Sequence, residues 1–252
     1  MSKRIAGLDI GSRAVKLVLV ERGEPVRQAI RDTSHDPIAV CRDLLDGLGV
    51  DRIMATGYGR NLAKQYLDAE TMTEIRAVSL GARRLFPACR TLLDIGGQDT
   101  KAVALDPSGA VRKFEMNDRC AAGTGRFIEV MAAALGLSMP DFVSAGQGAR
   151  KGARLSSLCA VFAETETVSM VARGVPREEV VLGIHEAIAR RSLSLLQRIP
   201  VEDDVVFTGG VAENPLMARL FQKGLGRRVL LPEHPQIVAA LGAALEAAAH
   251  PD

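Results

Sequence analysis

The chain has 252 residues, of which 47% are hydrophobic and 25% charged, with 32 Lys and Arg against 30 Asp and Glu. This charge balance argues against a general binder of polyanions, and the scarcity of aromatic residues (no Trp, two Tyr) argues against a base-stacking surface. No apolar run reaches the roughly 18–20 residues of a membrane span, and the basic N-terminus leads into a strand instead of a signal peptide. We therefore expect a cytoplasmic protein that binds neither nucleic acid nor a membrane. The length lies between one ordinary domain and two.

Three apolar segments that end in glycines predict strands. Ile5–Ile10 runs into Gly11, Thr91–Ile95 into Gly96, and Val205–Thr208 into Gly209. Strands that alternate with helices predict a mixed α/β fold, in which ligands bind at the carboxyl ends of the strands. Stretches rich in Ala, Leu and Arg have helical periodicity and predict helices over Pro37–Leu48, Thr73–Leu85, Gly125–Leu135, Arg177–Arg198, Pro215–Gly224 and Gln236–Ala248.

An internal repeat accounts for the intermediate length. Asp9–Lys16 reads DIGSRAVK and Asp94–Lys101 reads DIGGQDTK, and the two segments begin 94 − 9 = 85 positions apart. Each lies between two apolar strands, so each predicts a β-hairpin. Two copies of one hairpin predict two related lobes. We place the first lobe at residues 1–85, completed by a C-terminal helix within 234–252, and the second at 86–233.

The two hairpin turns have the composition of phosphate-binding turns. A glycine lets backbone N–H groups approach a phosphate closely, an Asp at the end of the preceding strand can hold Mg²⁺ through water, and a Lys adds positive charge. In the second turn, Gln98 or Asp99 is placed to orient an attacking water. The alternative is a pair of ordinary hairpin turns whose charges face solvent. The candidate phosphate-binding residues are Gly11, Ser12, Arg13, Lys16, Gly96, Gly97 and Lys101.

The third glycine segment completes a pattern. Gly209 and Gly210 permit close approach of a planar base or a ribose, and the helix that follows favours anionic groups at its N-terminus. Alone, the segment is only a strand-to-helix turn. In the order phosphate turn, phosphate turn, adenosine turn, the chain resembles the superfamily of acetate and sugar kinases, Hsp70 and actin. That resemblance implies a bilobal fold of duplicated ribonuclease-H-like lobes, with ATP in the cleft between them.

The four cysteines fit neither a disulfide framework nor a CxxC zinc pattern. Cys41, in an apolar helix, and Cys89, after Pro87, are expected to be structural. Cys120 lies in a glycine-containing turn that opens a helix, and Cys159 lies near a helix start, where partial positive charge stabilises a thiolate or an anionic cluster. The residues alone leave two interpretations open. These two are small buried cysteines, or they are half of a four-thiolate site that a two-fold dimer completes (2 × 2 = 4).

Several motifs point to one family. The stretch NDRCAAGTGRF around Cys120, SLCAVFAETE around Cys159, TGYGR at 56–60 and TEI at 73–75 resemble the activators (component A) of 2-hydroxyacyl-CoA dehydratases, in the BadF/BadG/BcrA/BcrD-type ATPase family. The resemblance implies a homodimer with one [4Fe–4S] cluster, bridged between the subunits by Cys120 and Cys159 of each. It also implies that ATP hydrolysis drives a low-potential electron into an acyl-CoA dehydratase or a related iron–sulfur reductase, with reduced ferredoxin or flavodoxin as the donor.

The same resemblance implies roles for single residues and shows two departures. It puts Asp9 and Asp99 near Mg²⁺, and Gln98 near the attacking water. This chain has Arg13 where relatives often have Thr, and Val78 where many have His. The resemblance also assigns residues near the adenosine: Gly209, Gly210 and Asn214. The four histidines, which have no mutual ligand spacing, are expected at the surface or as local caps: His35, His185, His234 and His250.

Other functions remain open at this stage. Within the same family, the chain could be an ATPase subunit of a benzoyl-CoA reductase. A small-molecule kinase of the same fold is a second alternative, although the chain has little room for a substrate-binding insertion and its cysteine motif would have no use. An actin-like assembly or chaperone module is a third.

Overall fold

The computed structural model describes residues 3–157, 159–202 and 204–250, and the strands within these ranges form two five-stranded sheets. The mixed α/β fold predicted from the sequence is confirmed. The first sheet consists of β1 (Arg4–Ile10), β2 (Ala14–Glu21), β3 (Glu24–Asp32), β4 (Arg52–Thr56) and β5 (Glu70–Thr71). The second consists of β6 (Thr91–Ile95), β7 (Thr100–Leu105), β8 (Val111–Asn117), β9 (Val205–Thr208) and β10 (Val229–Leu230).

The two sheets have the same topology. The strand order is β3-β2-β1-β4-β5 in the first sheet and β8-β7-β6-β9-β10 in the second, so each strand has a counterpart five places later in the chain. In the first sheet β1 pairs with β2 in antiparallel and with β4 in parallel register, and β4 and β5 are parallel. In the second, β9 and β10 are likewise parallel. The repeat found in the sequence is therefore a duplication of a whole five-stranded sheet.

Each predicted helix is present with differences at its ends, whereas the helices Arg60–Leu67 and Met139–Gly148 were not predicted. The first ends at Leu45, three residues before its predicted end at Leu48, because the chain turns at Gly47 (φ +68°). Two short 3-10 turns lie at Gly210–Glu213 and Pro235–Ile237. The helices are α1 (Pro37–Leu45), α2 (Arg60–Leu67), α3 (Glu74–Leu85), α4 (Gly125–Ala134), α5 (Met139–Gly148), α6 (Ala160–Ala172), α7 (Arg177–Leu196), α8 (Pro215–Leu225) and α9 (Val238–Ala249).

The chain divides into two compact units. The first comprises Met1–Leu92, Val103–Phe114 and Pro232–Asp252, and the second comprises Leu93–Ala102 and Glu115–Leu231. The division that we predicted, 1–85 with 234–252 against 86–233, stays a prediction. Its ends at residues 1–2 and 251–252 lie outside the described residues.

By length and hydropathy, no single helix in the described ranges could cross a membrane, whereas α4 and α5 together pass that test as a pair bent by 86°.

Close helix packing holds the first unit together. In α3, a Cβ added to Gly81 would lie 1.9 Å from the carbonyl oxygen of Val238, at the start of α9. In α9, a Cβ on Gly242 would lie 1.8 Å from the carbonyl oxygen of Ala77. The two backbones therefore approach more closely than any side chain at these positions would allow.

We expect Gly81→Ala to lower the free energy of unfolding by about 3 kcal/mol, because α3 and α9 must separate to admit the methyl group. Gly148→Ala is the matched control. Gly148 is exposed at the end of α5 with nothing near its would-be Cβ, so alanine there should be neutral or stabilise by up to about 1 kcal/mol. Urea unfolding of the two variants checks the difference, and equal stabilities would contradict the close approach.

Candidate functional site

The first glycine turn joins β1 to β2. Asp9, on β1, faces Lys16, on β2, across the hairpin, and the ammonium lies 3.0 Å from the Asp9 carboxylate. Both side chains are mostly buried, at 13% and 16% exposed. The turn is closed by the Gly11 N–H, which donates to the Ala14 carbonyl (3.1 Å). This site therefore holds one carboxylate and one ammonium at the end of a buried strand.

The remaining residues of this turn lie nearer the surface. Ser12 is half-buried and Arg13 is exposed. The Arg13 carbonyl accepts a hydrogen bond from the Thr33 N–H (2.9 Å), and the Thr33 hydroxyl donates to the Gly11 carbonyl (2.8 Å). Two hydrogen bonds from the chain that follows β3 thus fix the turn from outside.

The second turn joins β6 to β7 and repeats the first with an added carboxylate. Lys101 is nearly fully buried, and its ammonium lies 3.4 Å from Asp94 and 2.7 Å from Asp99. Asp94 lies seven residues before Lys101 and pairs with it, just as Asp9 lies seven residues before Lys16 and pairs with it. The sequence predicted a general role in holding Mg²⁺ for the Asp that ends the strand before each turn, but Asp94 was not named among the candidate site residues. The repeat itself was the signal that could have found it.

The added carboxylate changes the charge of this turn. Asp99 and Asp94 together surround the Lys101 ammonium, whose side chain is only 4% exposed. Gln98, by contrast, is exposed, and Gly97 is half-buried. The turn thus has its backbone and the Gln98 side chain on the outside, and the Lys101 side chain beneath them. A ligand that approached this turn would first meet its backbone N–H groups. The role predicted for Lys101 at a phosphate stays a prediction.

Three hydrogen bonds tie the second turn to the start of α4. The N–H groups of Gly125 and Arg126 donate to the carbonyls of Gly96 and Gly97, each at 2.9 Å. The Thr100 hydroxyl, one residue past the turn, donates to the carbonyl of Gly123 (3.0 Å). The first N–H groups of a helix have no partner inside it. Here they are satisfied by the turn, so the turn and the helix start are held as one piece.

The third glycine segment closes onto the second turn. Gly209 has φ +87°, which favours glycine, and a Cβ there would lie 2.3 Å from the carbonyl oxygen of Ile95. Just before it, the Thr208 hydroxyl donates to Asp94 (2.8 Å). The carboxylate of Asp94 therefore has two partners, Lys101 and Thr208. Sequence reasoning missed Thr208, because only the strand order shows that β9 lies beside β6.

Asn214 serves the protein's own structure. Its side-chain oxygen accepts hydrogen bonds from the N–H groups of Leu216 (3.0 Å) and Met217 (3.3 Å), which caps α8. Its amide nitrogen lies 3.0 Å from Nε2 of His185. The side chain is thus fully engaged in the described structure, and the predicted contact of Asn214 with adenosine stays a prediction.

His185 lies in the interior, so the expectation of a surface residue or a local cap was wrong. It is fully buried in α7, and Nδ1 lies 2.8 Å from the carbonyl of Val181. Burial lowers its pKa from 6.5 to about 4, although the hydrogen bond with Val181 acts to raise it. The ring is therefore neutral at pH 7 and has Nδ1 as donor and Nε2 as acceptor for Asn214.

This burial predicts a loss of stability in mild acid. The unfolded chain takes up a proton near pH 6.5, whereas the folded chain resists it until about pH 4, so the free energy of unfolding falls as the pH falls between these values. By pH 5 the expected loss is about 2 kcal/mol. Urea unfolding at pH 7, 6 and 5 measures it, with His185→Gln as the control that does not titrate. A wild-type protein that is as stable at pH 5 as at pH 7 would contradict the assignment.

Cys120 lies in the loop between β8 and α4. The loop is held by the Asn117 side chain, which donates to the Cys120 carbonyl (2.9 Å), and by the Thr124 hydroxyl, which donates to Ala121 (2.7 Å). Cys120 itself is half-buried. Because α4 begins just beyond this loop, at Gly125, the hydrogen bonds that tie α4 to the second glycine turn also fix the end of the Cys120 loop.

Cys159 is exposed and forms the N-cap of α6. Its N–H donates to the Ser157 hydroxyl (3.2 Å). Glu166, nearly two helical turns along α6, accepts hydrogen bonds from the N–H groups of Ser156 (2.8 Å) and Ser157 (3.3 Å). Burial acts to raise the pKa of Glu166, but these bonds hold it below its usual value. Leu158, within the quoted motif, lies outside the described residues.

The other two cysteines have a different environment. Cys41 and Cys89 are buried, as predicted, and burial raises the pKa of Cys41 to about 12 and that of Cys89 to about 11. Their thiols stay protonated at neutral pH. Val78, one of the two departures noted from the sequence, is buried in α3. In the described part of the chain, no three His, Cys, Asp or Glu side chains are grouped as a metal site would need.

Comparisons with known proteins give one result over almost the whole chain. A family model described as the BadF/BadG/BcrA/BcrD ATPase family matches residues 6–247. A 2-hydroxyisocaproyl-CoA dehydratase activator from Clostridioides difficile is 38% identical over 96% of this chain and 93% of its own length. An activator of lactoyl-CoA dehydratase from Anaerotignum propionicum is 38% identical over 96% of each. One of the subunits of benzoyl-CoA reductase from Thauera aromatica is 32% identical over 95% of this chain and 91% of its own.

Solved structures confirm the fold. The activator of the 2-hydroxyisocaproyl-CoA dehydratase from Clostridium difficile, with bound ADPNP, superposes with a TM-score of 0.89 at 36% identity, covering 98% of this chain and 94% of that one. A glucokinase of the ROK family from Streptomyces griseus gives a TM-score of 0.63 at 12% identity, covering 98% and 100%, and so shows a common fold alone. The predicted likeness to the sugar kinases is therefore correct at the level of the fold.

Proposed function

The chain is an ATPase that belongs to the BadF/BadG/BcrA/BcrD family, and we propose that it uses ATP to activate a partner iron–sulfur enzyme by delivering a low-potential electron. The observation that carries the proposal is how the cysteines divide. The two in the family motifs, Cys120 and Cys159, are the accessible ones, and both precede helices. The other two are buried, with raised pKa values.

The nucleotide roles follow the chemistry of the turns. We assign phosphate binding to the turns at Gly11–Ser12 and Gly96–Gly97, with the exposed Arg13 guanidinium adding positive charge at the first. Lys16 adds charge at the first turn and Lys101 supports the second. Gln98, exposed at the tip of the second turn, orients the attacking water. Near the adenosine we assign Gly209 and Gly210, together with Asn214, which also caps α8.

Magnesium fits the carboxylates of these turns. Mg²⁺ prefers oxygen ligands and keeps several of its waters, so one or two carboxylates are enough. Asp9 and Asp99 are partly exposed, at 13% and 25%, and each is suited to contact Mg²⁺ mainly through water. In the protein as described each is paired with a lysine, so binding of the metal requires that Lys16 and Lys101 give up part of that contact.

A [4Fe–4S] cluster fits the accessible thiols. Such a cluster takes four thiolates, and one chain offers two, so Cys120 and Cys159 of two subunits would hold it together. When bound, the cluster supplies a one-electron carrier of low potential. The starts of α4 and α6, which carry partial positive charge, lie close to these two cysteines in the chain.

The surface around Cys159 supports a homodimer. On α6, only Ala163 and Thr167 are buried, whereas Val161 and Phe162 are 70% and 67% exposed and Val168 is also exposed. Large apolar side chains that stand together on a surface commonly mark an interface. A second copy of the chain that covers this face would also bring a second pair of cysteines.

The hydrogen bonds at α4 suggest how nucleotide acts on the cysteines. Movement of the second turn pulls on Gly125 and Arg126 through their bonds to Gly96 and Gly97, and on Gly123 through Thr100. The Cys120 loop ends at these residues. We therefore propose that the state of the nucleotide changes the position of the Cys120 loop and the field of the α4 N-terminus, which are two of the means by which a protein tunes a cluster.

The names of the relatives suggest the partners. Two similar proteins are activators of acyl-CoA dehydratases, so we propose an acyl-CoA dehydratase or a related iron–sulfur reductase as electron acceptor. A reduced ferredoxin or flavodoxin would be the donor. The second candidate, an ATPase subunit of a benzoyl-CoA reductase, is supported by the similarity to the Thauera aromatica protein, at lower identity than the activators.

The fate of the γ-phosphate tests the proposal against a kinase. Protein purified and reduced without oxygen is given Mg²⁺ and ATP labelled at the γ-phosphate, with and without a pool of small metabolites. We expect the label as inorganic phosphate in both cases. Gln98→Ala should lower the rate about 100-fold by loss of water orientation. Gln147→Ala, an exposed glutamine on α5, should leave it unchanged. Label on a metabolite would overturn the proposal in favour of a small-molecule kinase.

A further inference from the structure

Thr56 has a buried hydroxyl that nothing in the described residues satisfies. The residue is fully buried at the end of β4, and its Oγ1 has no hydrogen-bond partner. Most buried polar side-chain atoms in proteins are paired, and an exception asks for an explanation. A valine would fill the same space in a β-strand without that cost. The hydroxyl therefore points to a use outside the state described.

The position of Thr56 indicates that use. In the parallel pairing of β1 and β4, Thr56 is the register partner of Asp9. The next residue, Gly57, is so close that an added Cβ would lie 2.6 Å from Oδ1 of Asp9. The end of β4 thus lies directly beside the Asp9 carboxylate, and the unpaired Thr56 hydroxyl belongs to that end of the strand.

The duplicated sheet shows what a hydroxyl does at this position. Thr208 ends β9 as Thr56 ends β4, and each is followed by a glycine with φ +87°. Thr208 donates to Asp94 (2.8 Å), the counterpart of Asp9. In the second sheet the carboxylate thus has lysine and threonine as partners. In the first sheet the same residue types are present. Asp9 is paired with Lys16, but the Thr56 hydroxyl makes no hydrogen bond within the described residues.

We infer that Thr56 is a positioning residue for Asp9, which it holds by a hydrogen bond when Lys16 turns from the carboxylate to a nucleotide phosphate. The inference rests on the proposed function, because it needs Mg²⁺ and nucleotide at the first turn. Lys16 has one carboxylate partner at 3.0 Å, so a phosphate that draws it away leaves Asp9 without a donor. The Thr56 hydroxyl then replaces that donor and keeps the carboxylate aimed at the metal's water shell.

Two substitutions at Thr56 should separate stability from metal response. Without nucleotide, Thr56→Val should have a melting temperature equal to or above that of the wild type, because the lost hydroxyl made no bond. It should, however, weaken the Mg²⁺-dependent part of ADP affinity about tenfold, as expected for one hydrogen bond to a charged group. Thr56→Ser should do the reverse, with a lower melting temperature from the missing methyl group and an intact response to Mg²⁺.

Thr208→Val is the matched control, because its hydroxyl is already bonded. It should lower the melting temperature without nucleotide. Calorimetric titration with ADP, in Mg²⁺ and in EDTA, together with thermal unfolding of the unliganded variants, gives all of these values. A Thr56→Val protein that is destabilised like Thr208→Val, or that binds Mg²⁺ and ADP as the wild type does, overturns the inference alone. A wild-type protein that binds no ADP overturns the proposed function, and the inference with it.

Discussion

Replacement of Cys120 by alanine is expected to abolish iron binding. Protein purified without oxygen should contain about four iron atoms and four sulfides per dimer. Because each chain offers only two accessible thiols, loss of Cys120 removes two of the four ligands at once from a two-fold site. The brown colour and the iron should both be lost, while the circular dichroism spectrum stays unchanged, since the side chain is only half-buried.

Cys41→Ala provides the control for that experiment. Cys41 is fully buried in α1, and its thiol has a pKa of about 12, raised by burial and by the nearby Asp36. Alanine there should cost some stability but leave the iron content unchanged. Iron that persists in Cys120→Ala, or that disappears only in Cys41→Ala, would show that the cysteines had been assigned wrongly.

Replacement of Lys101 by methionine should destabilise the protein by about 3 kcal/mol, because it leaves two carboxylates beside a buried apolar side chain. The Lys101 ammonium is paired with both Asp94 and Asp99 and is 4% exposed. Lys16→Met is the matched variant in the first hairpin. Lys16 is more exposed and has a single carboxylate partner, so its loss should cost about 1 kcal/mol.

Urea unfolding of the two lysine variants, and of Lys101→Met combined with Asp99→Asn, measures these costs. The double variant should recover part of the stability, because one of the two unpaired charges is removed with the lysine. Equal losses for Lys16→Met and Lys101→Met would contradict the view that the second turn keeps its lysine as an internal counter-ion.

The parts of the fold that the sequence predicted are those with a strong local pattern. The strands that lead into Gly11, Gly96 and Gly209 are buried apolar runs that end at glycines, and their bounds were correct to within a residue. The edge strands β3 and β8 were missed, because most of their residues are exposed and alternate too little to be read as strands. Short strands such as β5, of two residues, carry no pattern at all.

The sequence predicted the residue types of the candidate site better than it predicted which residues contact one another. The repeat identified Asp9 and Lys16, because the hairpin that pairs them is local in sequence. Thr56 and Thr208 were given no role, since each lies beside its carboxylate only through the order of strands in a sheet. The burial of His185 was missed for a similar reason. Its neighbours on α7 show a helix that is apolar on nearly every side, and only packing decides which polar group lies inside.

The bonds between the second turn and α4 make two amides into natural reporters. Because the N–H groups of Gly125 and Arg126 donate to Gly96 and Gly97, their exchange with deuterium requires that the turn and the helix start separate. Their exchange rates therefore measure how often the second turn separates from the start of α4. The ratio of these rates in ATP and in ADP gives the difference between the two nucleotides in the free energy of opening that contact. The same measurement with Thr100→Val gives the share carried by a single hydroxyl.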